Sequence, residues 1–105
     1  MTNHVALHTT SGVVIQEGPE TGSLDTLNCD VNAPGQPDNA GCGGRCALNT
    51  TYGHAFNTAG GGVYAMDWTA DAIRIWHFTQ KKTPQDILNG TPNPSGWGKV
   101  SAYVV

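Results

Sequence analysis

Gly60-Gly61-Gly62-Val63-Tyr64-Ala65-Met66-Asp67-Trp68-Thr69, followed after a short turn by Ile73-Arg74-Ile75-Trp76-His77-Phe78, decides the fold class of this chain. Tyr64, Met66 and Trp68 alternate with small or polar neighbours, and Ile73, Ile75 and His77 alternate with Arg74, Trp76 and Phe78. This is the period-two pattern of β-strands. Thr69-Ala70-Asp71-Ala72 is short enough to fold the two runs back on each other as an antiparallel hairpin. The triple glycine is not a phosphate cradle, because it leads into a strand rather than opening a helix with Lys and Ser or Thr behind it.

The rest of the chain agrees with an all-β reading. It has 105 residues, enough for one modest core, with 14 Gly and only 12% charged residues, a balance that suits turn-rich β structure better than helices. A net charge of −3, with no basic stripe beyond Lys81-Lys82, argues against nucleic acid as a partner. No apolar run approaches the length of a membrane span, and Met1-Thr2-Asn3-His4 lacks the charged start and apolar middle of a signal peptide. Against that, the composition is that of a secreted protein, and Asn49-Thr50-Thr51 and Asn89-Gly90-Thr91 are glycosylation sequons. The three cysteines, Cys29, Cys42 and Cys46, permit one bridge and one free thiol, with Cys29 joined to either of the other two.

Outward from the hairpin, Val5-Ala6-Leu7-His8-Thr9-Thr10 reads as a strand with Val5, Leu7 and Thr9 on one face and His4, Ala6, His8 and Thr10 on the other. Val13-Val14-Ile15 and Ala102-Tyr103-Val104-Val105 read as two more. Glu17 to Thr51 reads as turn and loop with few residues to bury. A single helical turn is expected at Pro84-Gln85-Asp86-Ile87, capped by Thr83.

Taken in order, Ala6-Leu7-His8-Thr9, Asn28-Cys29-Asp30, Ala40-Gly41-Cys42-Gly43, Tyr52-Gly53 with Phe56-Asn57, Gly60 to Trp68, Ile73-Arg74-Ile75-Trp76 with Phe78, and Trp97-Gly98 resemble glycoside hydrolase family 16. The resemblance is to its fungal, laminarinase-like endo-1,3(4)-β-glucanases, and it runs along nearly the whole chain. It implies a partial β-jelly roll, a concanavalin-like antiparallel sandwich with a glycan cleft on its concave face. It also implies an extracellular parent that hydrolyses β-1,3 and mixed-linkage glucans, with β-glucan as partner and no cofactor.

The family signature Glu-x-Asp-x-x-Glu, on a strand just before the segment matching Leu7-His8-Thr9, is absent from this sequence. So is the family's closing Cys-Gly-Asp-Trp. Residues 1–105 are therefore expected to be a single partial domain, truncated at both ends and inactive as a hydrolase by itself, and no residue is assigned a catalytic role. A noncatalytic β-glucan-binding protein is the alternative. Missing strands would leave open sheet edges, through which self-association is expected. Val13 stands where relatives often have a cysteine and Cys46 is extra, so the resemblance does not choose the bridge.

The residues expected to touch substrate are His8, which the resemblance places on the cleft face near the scissile bond, and Thr10, which shares that face. Trp68 and Trp76 read as core, with sugar stacking as the functional alternative, and Trp97 reads as a plug at the sandwich edge. Asp67 and Asp71 straddle the hairpin turn and read as solvated or turn-stabilising. The spacings His4/His8 and Cys42/Cys46 suit a zinc site only if four ligands converge, and none is assigned.

Overall fold

The computed structural model describes residues 2–105 and contains seven strands in two antiparallel sheets. In chain order these are β1 (His4–Leu7), β2 (Ile15–Gln16), β3 (Thr21–Leu24), β4 (Cys42–Cys46), β5 (Gly62–Trp68), β6 (Ile73–Thr79) and β7 (Ala102–Val104). One sheet has the order β1-β4-β3 and the other β2-β7-β6-β5. Two short helices, α1 (Gly53–Thr58) and α2 (Gln85–Leu88), lie in the connections.

The hairpin forms as expected. β5 and β6 pair in unbroken register from Gly62 opposite Thr79 to Trp68 opposite Ile73, and the Thr69 N–H donates to Ala72 O at 2.9 Å across the four-residue turn. Asp71 contributes to this turn through its backbone N–H, which donates to Thr69 Oγ1 at 3.3 Å, rather than through its carboxylate.

The stretch from Glu17 to Thr51 departs from its expected reading as loop, because it contains β3 and β4. β4, Cys-Gly-Gly-Arg-Cys, is the middle strand of its sheet, and its glycines are needed for close approach rather than for a turn. A Cβ on Gly44 would lie 2.9 Å from Leu24 Cδ2, and one on Gly43 would lie 3.0 Å from Val5 O. Strands built from such small residues are held by their neighbours and not by intrinsic propensity.

The first strand is shorter than its pattern suggests. β1 ends at Leu7, and Thr9 forms an isolated parallel bridge with Asp30 instead of continuing the ladder. The second run is also shifted, with β2 at Ile15–Gln16 and Val14 bridged to Asn28. The expected helical turn is present one residue later as α2, but Thr83 does not cap it; its hydroxyl donates to Thr79 O at 2.9 Å.

The core joins both sheets. Ile15, Cys29, Cys42 and Val104 are buried together, with Leu7, Val13, Leu24 and Ile73 packed against them. Cys29 and Cys42 form the disulfide, which decides between the two pairings the cysteine count left open. Cys46 is a free, buried thiol whose Sγ lies 3.4 Å from Ser101 Oγ.

The three tryptophans have different fates. Trp76 is core, with its indole N–H donating to Gly98 O at 3.2 Å. Trp97 covers it from the outside, edge-on to both Trp76 and Phe78, and donates from its indole N–H to Asp86 Oδ2 at 2.8 Å, in keeping with its reading as a plug. Trp68 is not core: it is 71% exposed. The three-stranded sheet does not cover the four-stranded one. Tyr64, Met66 and Trp68 share a face with Ile73, Ile75 and His77, and an apolar cleft of about 140 Å³ between Val5, Leu7, Met66, Trp68 and Ile75 stays open.

Candidate glycan-binding face

The outward face of the β1-β4-β3 sheet is polar. The pairings His4 with Arg45 and Ala6 with Gly43 put these four residues on one side of the sheet, while Val5, Leu7, Cys42 and Gly44 face the core. His4 Nε2 donates to Asp25 Oδ2 at 2.6 Å, both side chains being substantially exposed. Beside this pair, Thr2, Asn3, His4, Arg45 and Tyr52 line an open depression of about 570 Å³.

Asn3 ties this rim to the interior. Its Oδ1 accepts from the His4 N–H at 2.8 Å, its backbone N–H donates to Thr51 Oγ1 at 2.8 Å, and its amide Nδ2 donates to His77 Nε2 at 3.1 Å. Tyr64 closes the set from below, donating its hydroxyl to Thr51 O at 2.7 Å and standing edge-on to His77 at 5.0 Å. Partial desolvation, and after it the charge of the neighbouring Tyr52 phenolate, raises the Tyr64 pKa above the ordinary phenol value.

His77 is buried, and burial lowers its pKa below the usual imidazole value. Since Nε2 accepts from Asn3, the ring proton sits on Nδ1, which is buried without a hydrogen-bond partner among the described residues. The folded state thus binds a proton at His77 less readily than the unfolded chain does, so its stability should fall as pH drops below about 6.5, the ordinary imidazole value. Urea unfolding at pH 7.5 and 5.5 checks this: His77→Phe is expected to flatten the pH dependence, and an unchanged slope would contradict it.

His8 and Thr10, the residues expected to touch substrate, are exposed but lie beyond the end of β1 and outside the depression. His8 follows the end of β1, and its ring packs over Gly41. Gly41 has φ +65°, and a Cβ there would meet Leu7 O and the His8 ring, so glycine makes room for the histidine. Thr10 is exposed in the turn before Gly12, and its carbonyl accepts from Thr9 Oγ1 at 2.7 Å. Between them, Thr9 is fixed to the disulfide loop by bonds from the Thr9 N–H to Cys29 O (2.8 Å) and from the Val31 N–H to Thr9 O (3.0 Å).

The structure adds His4, Asp25, Arg45 and Tyr52 to this face. The alternation along β1 already placed His4 beside His8; Arg45 is brought there by sheet pairing, Asp25 by its bond to His4, and Tyr52 by the connection that leads into α1. The face offers amide, guanidinium, imidazole and phenol groups to a hydroxylated ligand, and none of the residues lining the depression is a carboxylate. As for metals, Cys42 is consumed by the disulfide, and no cluster of three or more His, Cys, Asp or Glu suited to a metal occurs among the described residues.

Residues 1–104 match the family model described as an XgeA-like, catalytic GH16 domain. The chain belongs to glycoside hydrolase family 16. An endo-1,3(4)-β-glucanase of Arthroderma benhamiae is 48% identical over 103 residues, covering 96% of this chain and 22% of that protein. A probable glycosidase of Schizosaccharomyces pombe is 40% identical over 99 residues, covering 92% and 23%. Among solved structures, a mutant laminarinase 16A that cyclizes laminariheptaose superposes with a TM-score of 0.80 at 34% identity, over 96% of this chain and 35% of that one. An elongating family 16 β-1,3-glucosyltransferase superposes with a TM-score of 0.74 at 28% identity, over 98% and 39%. The GH16 chain thus spans about a fifth of the length of these curated relatives. The expected family and its all-β jelly-roll fold are both met.

Proposed function

We propose that this chain is part of the catalytic domain of an endo-1,3(4)-β-glucanase, and that the outward face of the β1-β4-β3 sheet is a portion of its glycan cleft. The observation that carries the reading is the polar row His4, Arg45 and Asp25 on a sheet of the GH16 domain, opening into the depression beside Tyr52. His8 continues the row beyond β1 and contacts the sugar; Thr10 lies at its end. Retaining hydrolysis of β-1,3 and mixed-linkage glucans requires two carboxylates about 5 to 5.5 Å apart, one attacking the anomeric carbon and one protonating the leaving oxygen. Asp25 is engaged by His4, and no Glu-x-Asp-x-x-Glu occurs in residues 1–105. These residues therefore bind and orient glucan, while the carboxylates of the reaction come from outside them. The same lack of a carboxylate in the depression favours, as a second reading, a noncatalytic glucan-binding protein.

The test is retention of the purified chain on insoluble β-1,3-glucan together with release of reducing sugar from laminarin. Retention without hydrolysis is expected, and His8→Ala should weaken it by roughly fivefold, the loss of a hydrogen bond worth about 1 kcal/mol. No retention above a control protein would overturn the cleft assignment. Hydrolysis by the unextended chain would overturn the placing of the carboxylates.

A further inference from the structure

We propose that Asn49 is an N-linked glycosylation site whose first sugars lie in the groove beside it. The proposal joins a sequence feature to a cavity that the glucan-binding face does not use. Asn49-Thr50-Thr51 is a complete sequon, and Asn49 is exposed in the turn after β4. The residues on either side of it, Leu48 and Thr50, form one wall of a second depression of about 250 Å³, whose other walls include Phe78, Trp97, Lys82 and Lys99. Asn49 does not itself line this groove, so a sugar carried on it reaches the groove over Leu48 or Thr50 and finds suitable chemistry there. Aromatic surface from Trp97 and Phe78 suits the C–H face of a pyranose, and the two ammonium groups can donate to its hydroxyl and acetamide oxygens.

The structure also sets the order of events. The sequon hydroxyl is that of Thr51, which is 2% exposed and doubly engaged, accepting from the Asn3 N–H and donating to Leu48 O. An enzyme that reads this hydroxyl must act before β1 docks over it. In the transfer, the Asn49 amide nitrogen forms a bond to C1 of the first N-acetylglucosamine of a lipid-pyrophosphate-linked oligosaccharide. The C1–O bond to pyrophosphate breaks, the lipid pyrophosphate leaves, and the amide proton passes to the transferase's base.

Secretion of the chain from a glycosylating eukaryotic host, followed by intact-mass measurement and peptide mapping, tests the site. One oligosaccharide at Asn49 is expected, lost in Asn49→Gln and kept in Asn89→Gln. A secreted chain carrying no sugar, or sugar only at Asn89, overturns the proposal, and mapping the unsubstituted chain makes this independent of how the variants fold. Microsomal transferase offered the prefolded chain should leave Asn49 unmodified, and modification there would refute the order. For the groove, nuclear Overhauser contacts between the first acetamide methyl and the Trp97 indole are expected; their absence in the glycosylated chain would overturn the placement.

Discussion

Replacing Cys29 and Cys42 together by alanine is expected to destabilise the chain by about 3 kcal/mol, as for other bridges closing loops of this size, and to lower its thermal midpoint by about 12–24 °C. The bridge spans 13 residues, and the segment it closes has no strand or helix of its own before β4. Both half-cystines sit in the core with Ile15 and Val104, so their loss also removes packing. Because Thr9 is bonded to Cys29 O, the segment carrying His8 should loosen as well, and retention on β-glucan should fall with stability. Denaturant titration with and without reductant measures the effect. A difference below about 1 kcal/mol would show that sheet pairing alone holds this loop.

Substituting Met66 and Trp68 by threonine is expected to raise the dissociation constant of any self-associated form by roughly two to four orders of magnitude. The two side chains are 59% and 71% exposed beside an open apolar cleft, and β1 and β5 are both sheet edges. Covering one such side chain is worth about 1.5–3 kcal/mol, and each 1.4 kcal/mol is about a factor of ten in affinity. We propose that in the whole catalytic domain another strand beside β1 covers this face, and that the isolated chain satisfies it by associating with itself. Threonine keeps the strand preference while removing the apolar surface. Sedimentation velocity across a concentration series decides: concentration-dependent growth is expected in the parent chain and not in the double variant, and a monomeric parent would refute the self-association.

Local features of the chain were legible in its sequence and distant ones were not. The β5–β6 hairpin could be read because its alternation and its four-residue turn are contained within Gly62–Thr79. β3 and β4 could not, because Thr21-Gly22-Ser23-Leu24 and Cys42-Gly43-Gly44-Arg45-Cys46 carry no apolar alternation and become strands only when Val5 and Leu24 close on the glycines. Trp68 and Trp76 both sit in alternating runs yet differ in burial, since burial depends on what lies across the sheet. In the candidate site, the outward direction of His4 followed from the period of the strand, whereas His8 and Thr10 lie beyond its last paired residue, Leu7. Asp25 reaches His4 from a position 21 residues away, and Arg45 through strand pairing, so neither was visible from local pattern. The bridge, too, was chosen by pairing: Leu7 stands opposite Cys42 in the ladder, which places Cys42 beside Cys29 and sends Cys46 to Ser101.

That last arrangement gives the molecule a built-in clock. Cys46 is 3% exposed, under the end of β1 and against the strand-leading Ser101, so a thiol reagent in solution meets it only when those elements part. At low reagent concentration the labelling rate follows the population of opened molecules, and at high concentration it saturates at the opening rate itself. One unpaired cysteine thereby reports, without any added probe, how often this end of the sandwich breathes.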